Sequence, residues 1–256
     1  MEGKRPLILI TNDDGISAMG IRALWEATKE FGDVVIVAPD SPQSAMGHAI
    51  TLNDPIRLFV SDLFGDTEAY ACSGTPVDCV KLGIYEVLKR KPDLIVSGVN
   101  HGYNIATNVL YSGTMSAAVE GAMEGIPSIG FSLGVFEPHA DFSLAIDVAK
   151  EVIGSSLKNG IPKWICLNVN VPTVSKEDHQ GIKVCGQAHA YWADRFEKRE
   201  DQFGRTYYWL TGEFDDQDHG EETDVHWINQ GFSTIVPTQF DMTAYDALEK
   251  LENWKL

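Results

Sequence analysis

Residues 6 to 15, "PLILITNDDG", run from unbroken apolar chain straight into two adjacent carboxylates, Asp13 and Asp14. The apolar part, "LILIT" (7–11), reads as a strand, and the texture recurs along the chain. "VVIVAP" (34–39), "AYACS" (69–73), "LIVSGV" (94–99), "SIGFSL" (128–133) and "ICLNVN" (165–170) are short runs rich in Val and Ile. Helix-like stretches over 18–31, 76–90, 113–125 and 140–157 separate them. That alternation predicts an α/β fold with a mostly parallel sheet covered by helices on both faces. Pro76 after "SGT" suits a first helical turn, and Gly125 before "IPSIG" suits a helix stop.

Beyond about residue 172 the alternation is lost. Turn signals and charge dominate "KEDHQG" (176–181) and "DRFEKREDQFGR" (194–205), while "TYYWLTG" (206–212) and "FSTIVPT" (232–238) read as strands, and a final helix is expected near 243–254. The chain therefore divides into a core over 1–172 and a smaller β-rich extension over 173–256. "EFDDQDHGEETD" (213–224) carries seven acidic residues in twelve and reads as a solvated, mobile loop.

In an open parallel sheet, ligands bind beyond the carboxyl ends of the strands. Asp13 and Asp14 occupy that position after the first strand. Two carboxylates about 4 Å apart repel by roughly 4 kcal/mol at an effective dielectric near 20, so a cation is expected between them. "TNDDG" would also suit an ordinary Asx turn and helix cap. Recurrence favours the site: the second strand runs into "APDSPQSAMGH", with the hydroxyls of Ser41 and Ser44, and "LIVSGV" runs into "NHGYN". Asp, Asn and Ser supply hard oxygen, which suits Mg²⁺ or Mn²⁺ better than Zn²⁺. Two carboxylates and one divalent cation sum to about zero charge, so a phosphate group can enter. "YSGTMSAAVEGAM" (111–123) offers the cradle: Ser112, Gly113 and Thr114 open a helix whose first amides bind anions without a lysine. The same tripeptide in "CSGTP" (72–76) precedes another helix, so at least one copy is expected to be a plain cap.

Composition narrows the field. Twenty Lys+Arg against 37 Asp+Glu give a formal charge of −17 over 256 residues, which opposes binding to polymeric nucleic acid or an anionic membrane. Cys72, Cys79, Cys166 and Cys185 lack CxxC spacing and read as small buried thiols of a reducing, cytoplasmic protein. No secretory signal and no run of about 18 apolar residues is visible. There is no GxGxxG, no GxxxxGK[ST] and no HExxH. "GFSLG" (130–134) fits the letters of a serine-hydrolase elbow, but Ser132 sits inside an apolar run with no helix directly after it. His48 and His101 lie in the loops of interest and read as surface or packing residues.

Several long motifs then occur in a recognisable order: "ILITNDDGISAMGI", "VVIVAPDSPQSAMGHAIT", "SGTPVDCV", "PDLIVSGVNHGYNIATNVLYSGTMSAAVEGA" and "GFSTIVPTQFDMTAY". Together they resemble the SurE (stationary-phase survival protein E) family of metal-dependent nucleoside monophosphate phosphatases, over nearly the whole chain. The resemblance implies one divalent ion per subunit, Mg²⁺ or Mn²⁺, held by Asp13, Asp14, Ser44 and Asn100. It implies that Asn104 and the "YSGT" segment, with Ser112, Gly113 and Thr114, shape the phosphate pocket. It further implies hydrolysis of nucleoside 5′- and 3′-monophosphates, with short polyphosphate for some members. A Rossmann-like core with a protruding β-hairpin and a C-terminal tail, used in homodimers or homotetramers, is also implied. Met19, Ala45 and Tyr245 depart from residues common in the family's motifs, where proline, glycine and histidine respectively are often found. Asp13 is assigned an additional role as base. Two rival readings remain: an aspartyl-phosphate mechanism with Asp13 as nucleophile, and a non-catalytic nucleotide- or metal-sensing module.

Overall fold

The computed structural model describes residues 5–135, 137, 140–217 and 220–254. β1 (Leu7–Thr11) lies near the centre of a nine-stranded sheet and is buried along its whole length. Its side chains alternate between two cores. Leu7 and Leu9 face one with Val35, Val37, Cys79, Val80 and Ala117, while Ile8 and Ile10 face the other with Ile21, Leu24, Ala149 and Ile153. A strand clothed on both faces has no polar side to show, so it reads as continuous apolar sequence.

The helices follow from this division. α1 (Met19–Thr28) and α4 (Ser143–Asn159) pack together on the Ile8/Ile10 face, while α2 (Pro76–Leu82) and α3 (Gly113–Met123) contact each other on the opposite one. Full burial of one such aliphatic side chain is worth about 1.5–3 kcal/mol. α2 starts as expected: Pro76 occupies the first turn, and Thr75 and Asp78 form a reciprocal capping box. It ends earlier than expected, because the chain continues as a π-helical segment, Gly83–Leu88, closed by Lys89 in the left-handed region.

The remaining parallel strands are β2 (Asp33–Pro39), β4 (Glu68–Cys72), β5 (Leu94–His101), β6 (Ser128–Leu133) and β7 (Ile165–Val171). A short β3 (Leu58–Val60) pairs antiparallel with β4 at the edge. Across the sheet the six parallel strands run β4-β2-β1-β5-β6-β7. Counted in chain order this is 3-2-1-4-5-6, the Rossmann-like doubly wound arrangement, whose connections diverge between β1 and β5. The crevice therefore opens at Asp13 on one side and Asn100 on the other.

Past β7 the chain first returns to this sheet. β8 (Ile182–Val184) runs parallel to β11 (Ser233–Gln239), which pairs antiparallel with β7. Between them β9 (Ala190–Glu200) and β10 (Thr206–Asp216) form a separate antiparallel ribbon, followed by α5 (Asp224–Asn229); α6 (Tyr245–Glu252) comes last. Two expectations need correction. "DRFEKRE" is strand, not turn: the ribbon exposes both faces, so charged residues occupy it without the in–out alternation that marks a half-buried strand. The acidic stretch 213–224 is not simply a solvated loop. Its first four residues complete β10, and Asp224 is fully buried; Asp218 and His219 fall outside the described residues.

Candidate metal and phosphate site

Three connections meet above the carboxyl ends of β1, β2 and β5. After β1, Asn12 Nδ2 donates to the Gly15 carbonyl at 2.9 Å, closing the turn that presents the two carboxylates. Gly15 has φ +96°, a conformation that suits glycine. The turn is tied to its neighbours: Gln43 N donates to the Asp13 carbonyl at 2.8 Å, and His101 N reaches the Asp14 carboxylate at 3.3 Å. His101 Nδ1 lies 3.3 Å from the same oxygen, and the His101 ring packs edge-on against Phe142.

The loop after β2 crosses toward α3. Gly47 N donates to the Tyr111 carbonyl, His48 Nε2 pairs at 2.8 Å with buried Glu120, and the Thr51 hydroxyl donates to Asp78 at 2.6 Å. This route carries Ser44 to the cavity, while Ser41 bonds the Asp40 carboxylate next to it in sequence. Ala45, the next residue, sits at φ +59°.

Within β5, the pairing with β6 shifts register between Ser97 and Asn100. Asn100 Nδ2 donates to the Gly102 carbonyl at 2.8 Å, which commits the nitrogen and leaves Oδ1 as its acceptor. Asn104 is buried in an amide network: its Nδ2 donates to Ser132 Oγ at 2.8 Å, its backbone N to Asn170 Oδ1, and its carbonyl accepts from Asn168. Ser132 is thus a buried hydrogen-bond partner inside β6 and stands at no elbow.

At the start of α3, Ser112 Oγ caps the helix by accepting from Met115 N at 3.0 Å. The Thr114 hydroxyl donates to Asp13, and the Thr114 amide supports the same carboxylate. Gly113 makes this approach possible: a Cβ there would lie 2.7 Å from the Asp13 Cβ and 2.9 Å from its Oδ2. In the other "SGT" copy Thr75 is a cap in a reciprocal box with Asp78, and the loop after β2 rests on it through the Ala49 carbonyl and Thr51.

The expected residues thus gather around one cavity of about 490 Å³ that includes Asp13, Asp14, Ser44, Asn100, Asn104 and Ser112 in its wall. Gly113 and Thr114 stand behind Asp13. The wall also holds His101, Asn108 and Trp192, which sequence reasoning did not assign to the site. Among the described residues no Lys or Arg lines it. Burial pushes the Asp13 carboxyl up to about 6, the Thr114 hydroxyl pulls it back, and Asp14 adds repulsion. Among the described residues no three His, Cys, Asp or Glu side chains converge as a cation cage. A cation here would rest on two carboxylates and neutral oxygens.

Comparison with known proteins identifies the family. The profile of the family described as "Survival protein SurE" matches residues 8–194, from β1 into the first strand of the ribbon. The chain belongs to the SurE family. A relative in Flavobacterium johnsoniae, named 5′-nucleotidase SurE, is 54% identical over 100% of this chain and 99% of its own length. One of the same name in Bacteroides fragilis is 43% identical over the full length of both chains. The crystal structure of SurE protein from Aquifex aeolicus superposes with a TM-score of 0.83 at 37% identity, covering 96% of this chain and 98% of that one. All residues lining the candidate site, Trp192 included, fall within the family match.

Proposed function

We propose that this protein is a divalent-metal-dependent 5′-nucleotidase that hydrolyses nucleoside 5′- and 3′-monophosphates, and also short polyphosphate, to release phosphate. The observation that carries the reading is a carboxylate pair, Asp13 buried and Asp14 half-buried, in a cavity whose described wall residues include no Lys or Arg, inside a chain of net charge −17. An anionic ester enters such a place only with a cation. Asp13, Asp14, Ser44 and Asn100 fit that cation as an all-oxygen donor set suited to Mg²⁺ or Mn²⁺. When bound, the ion supplies Lewis-acid polarisation of a phosphate oxygen and acidification of a water.

The chain's own groups do the rest. Thr114 holds the Asp13 carboxylate in place through its Oδ1, so the base accepts a proton without swinging away. Asn104, fixed by Ser132 and Asn170, and the N-terminus of α3 at Ser112–Thr114 bind the phosphate and stabilise charge developing on it. Free buried or half-buried thiols at all four cysteines support a cytoplasmic location. The exposed apolar residues of the β9–β10 ribbon, Phe196, Trp209 and Leu210 among them, support assembly into a homodimer or homotetramer.

The test is phosphate release from a panel of nucleoside 5′- and 3′-monophosphates with Mg²⁺ or Mn²⁺, against an EDTA control and Asp13→Asn. Release that disappears in EDTA and in the folded variant is expected. Nucleotide binding without release by the wild-type protein would favour the sensing module.

A further inference from the structure

At about 490 Å³, the cavity is far roomier than a phosphate group requires and falls in the ~300–1,000 Å³ range of pockets that enclose whole small molecules. The polar groups assigned above account for the ester end. What remains in its wall is chiefly aromatic: Trp192 from β9 and Tyr111 from the 3₁₀ segment Ala106–Tyr111, with the Asn108 carboxamide.

Trp192 is held there by the base of the ribbon. Thr107 Oγ1 donates to the Ala190 carbonyl at 2.7 Å, joining β9 to the 3₁₀ segment. Asp224 accepts from Ala106 N and Ala188 N, both at 2.9 Å, so one buried carboxylate clamps the two together. Ala190 itself is buried in a small core with Ile105, Val225 and Ile228. Trp192 lies opposite Phe214 across the ribbon, and the two rings meet edge to face at 6.0 Å, with Phe214 packed on the same core. Yet half of Trp192 stays exposed. Tyr103, also in the cavity wall, differs: its ring lies against Gly134, where a Cβ would overlap it, and it packs into the small core. Tyr103 is a packing residue; Trp192 is an indole fixed from behind and open in front.

We infer that Trp192 is the nucleobase platform of this site, stacking the base while the ester lies at Asp13 and Asp14, with Asn108 available to the base edge. The inference rests on the nucleotidase reading and deepens it: base stacking here makes the enzyme prefer nucleotides over other phosphate monoesters. Stacking tolerates any base, because every base offers a π-face.

The test compares kcat/KM for AMP and for ribose 5-phosphate, which carries the same ester without a base. Trp192→Ala is expected to lower the AMP-to-ribose 5-phosphate ratio on the order of tenfold, mainly through KM, and Trp192→Phe to restore most of it. An unchanged ratio, or a Phe variant as poor as the Ala variant, overturns the inference. Adenosine should also inhibit AMP hydrolysis competitively in the wild-type protein. Absence of that inhibition overturns the inference whether or not the variants fold. Wild-type protein that releases phosphate from no nucleotide would remove the nucleotidase reading, and the inference with it.

Discussion

Asp13 is buried beside Asp14, with two donors from Thr114 and no Lys or Arg among the described residues of the cavity wall, so its ionised form is held at a cost in the absence of metal. Its folded value of about 6 lies above the value near 3.9 of an unfolded chain. A group raised in this way stabilises the fold fully below the unfolded value and loses that contribution as pH rises through the folded one. Metal-free protein in chelator should therefore lose on the order of 2–3 kcal/mol from this residue between about pH 4 and pH 6. Urea melts of Asp13→Asn across the same range should show a shallower slope; equal slopes would mean that Asp13 is not the group responsible. Gly113 is the second sensitive position. Gly113→Ala puts a methyl 2.7 Å from the Asp13 Cβ and should displace the carboxylate. Misplacement of that order costs about 100-fold in kcat/KM, with the far-UV spectrum retained. Ala45 stands at φ +59°, which costs a non-glycine residue about 1–2 kcal/mol. Ala45→Gly relieves this strain but adds chain entropy in the unfolded state, so the net gain in a thermal melt should stay below about 1 kcal/mol.

The site is assembled by elements that hold one another, and Asp224 is the clearest case. It is buried, burial pushes its carboxyl upward, and it takes backbone donors from Ala106, Ala188 and Val225. Asp224→Ala strands those donors in a dry place and should destabilise the protein by roughly 2–4 kcal/mol in a denaturant titration. Because the same residue anchors the ribbon beside the cavity, KM for a nucleotide should rise as well. The sequence showed none of this. Asp224 ends an acidic run, and local charge says nothing of the Ala106 and Ala188 amides brought to it from distant parts of the chain. The central parallel strands β1, β2 and β5 were legible for the opposite reason: they are clothed on both faces, so burial alone writes them largely in Val, Ile and Leu. Asp13 and Asp14 stood out because they follow such a strand directly, whereas Ser44 and Asn100 were singled out within their loops by the family resemblance alone. β9 left no alternation to read, and Trp192 went unrecognised with it. Its place in the site depends on where the ribbon folds back.

At the scale of the molecule, the exposed aromatic ribbon and the net charge of −17 pull in different directions. Phe196 and Leu210 are directly opposed across the two strands and stand 70% and 60% exposed. An apolar cross-strand pair of this kind is expected to be covered by another copy of the chain. Sedimentation velocity should show a dimer or tetramer, and the double variant Phe196→Glu, Leu210→Glu should shift it to monomer; a wild-type monomer at all concentrations would refute the assembly. The charge bears on the central claim, that four oxygen donors from three connections share a divalent ion and so admit an anionic ester to an acidic protein. Anomalous diffraction from crystals soaked in Mn²⁺ tests it most directly. The account predicts a single strong peak about 2.0–2.3 Å from oxygens of Asp13, Asp14, Ser44 and Asn100. A peak held by other residues, or no peak at the β1–β5 crevice at saturating Mn²⁺, would contradict it.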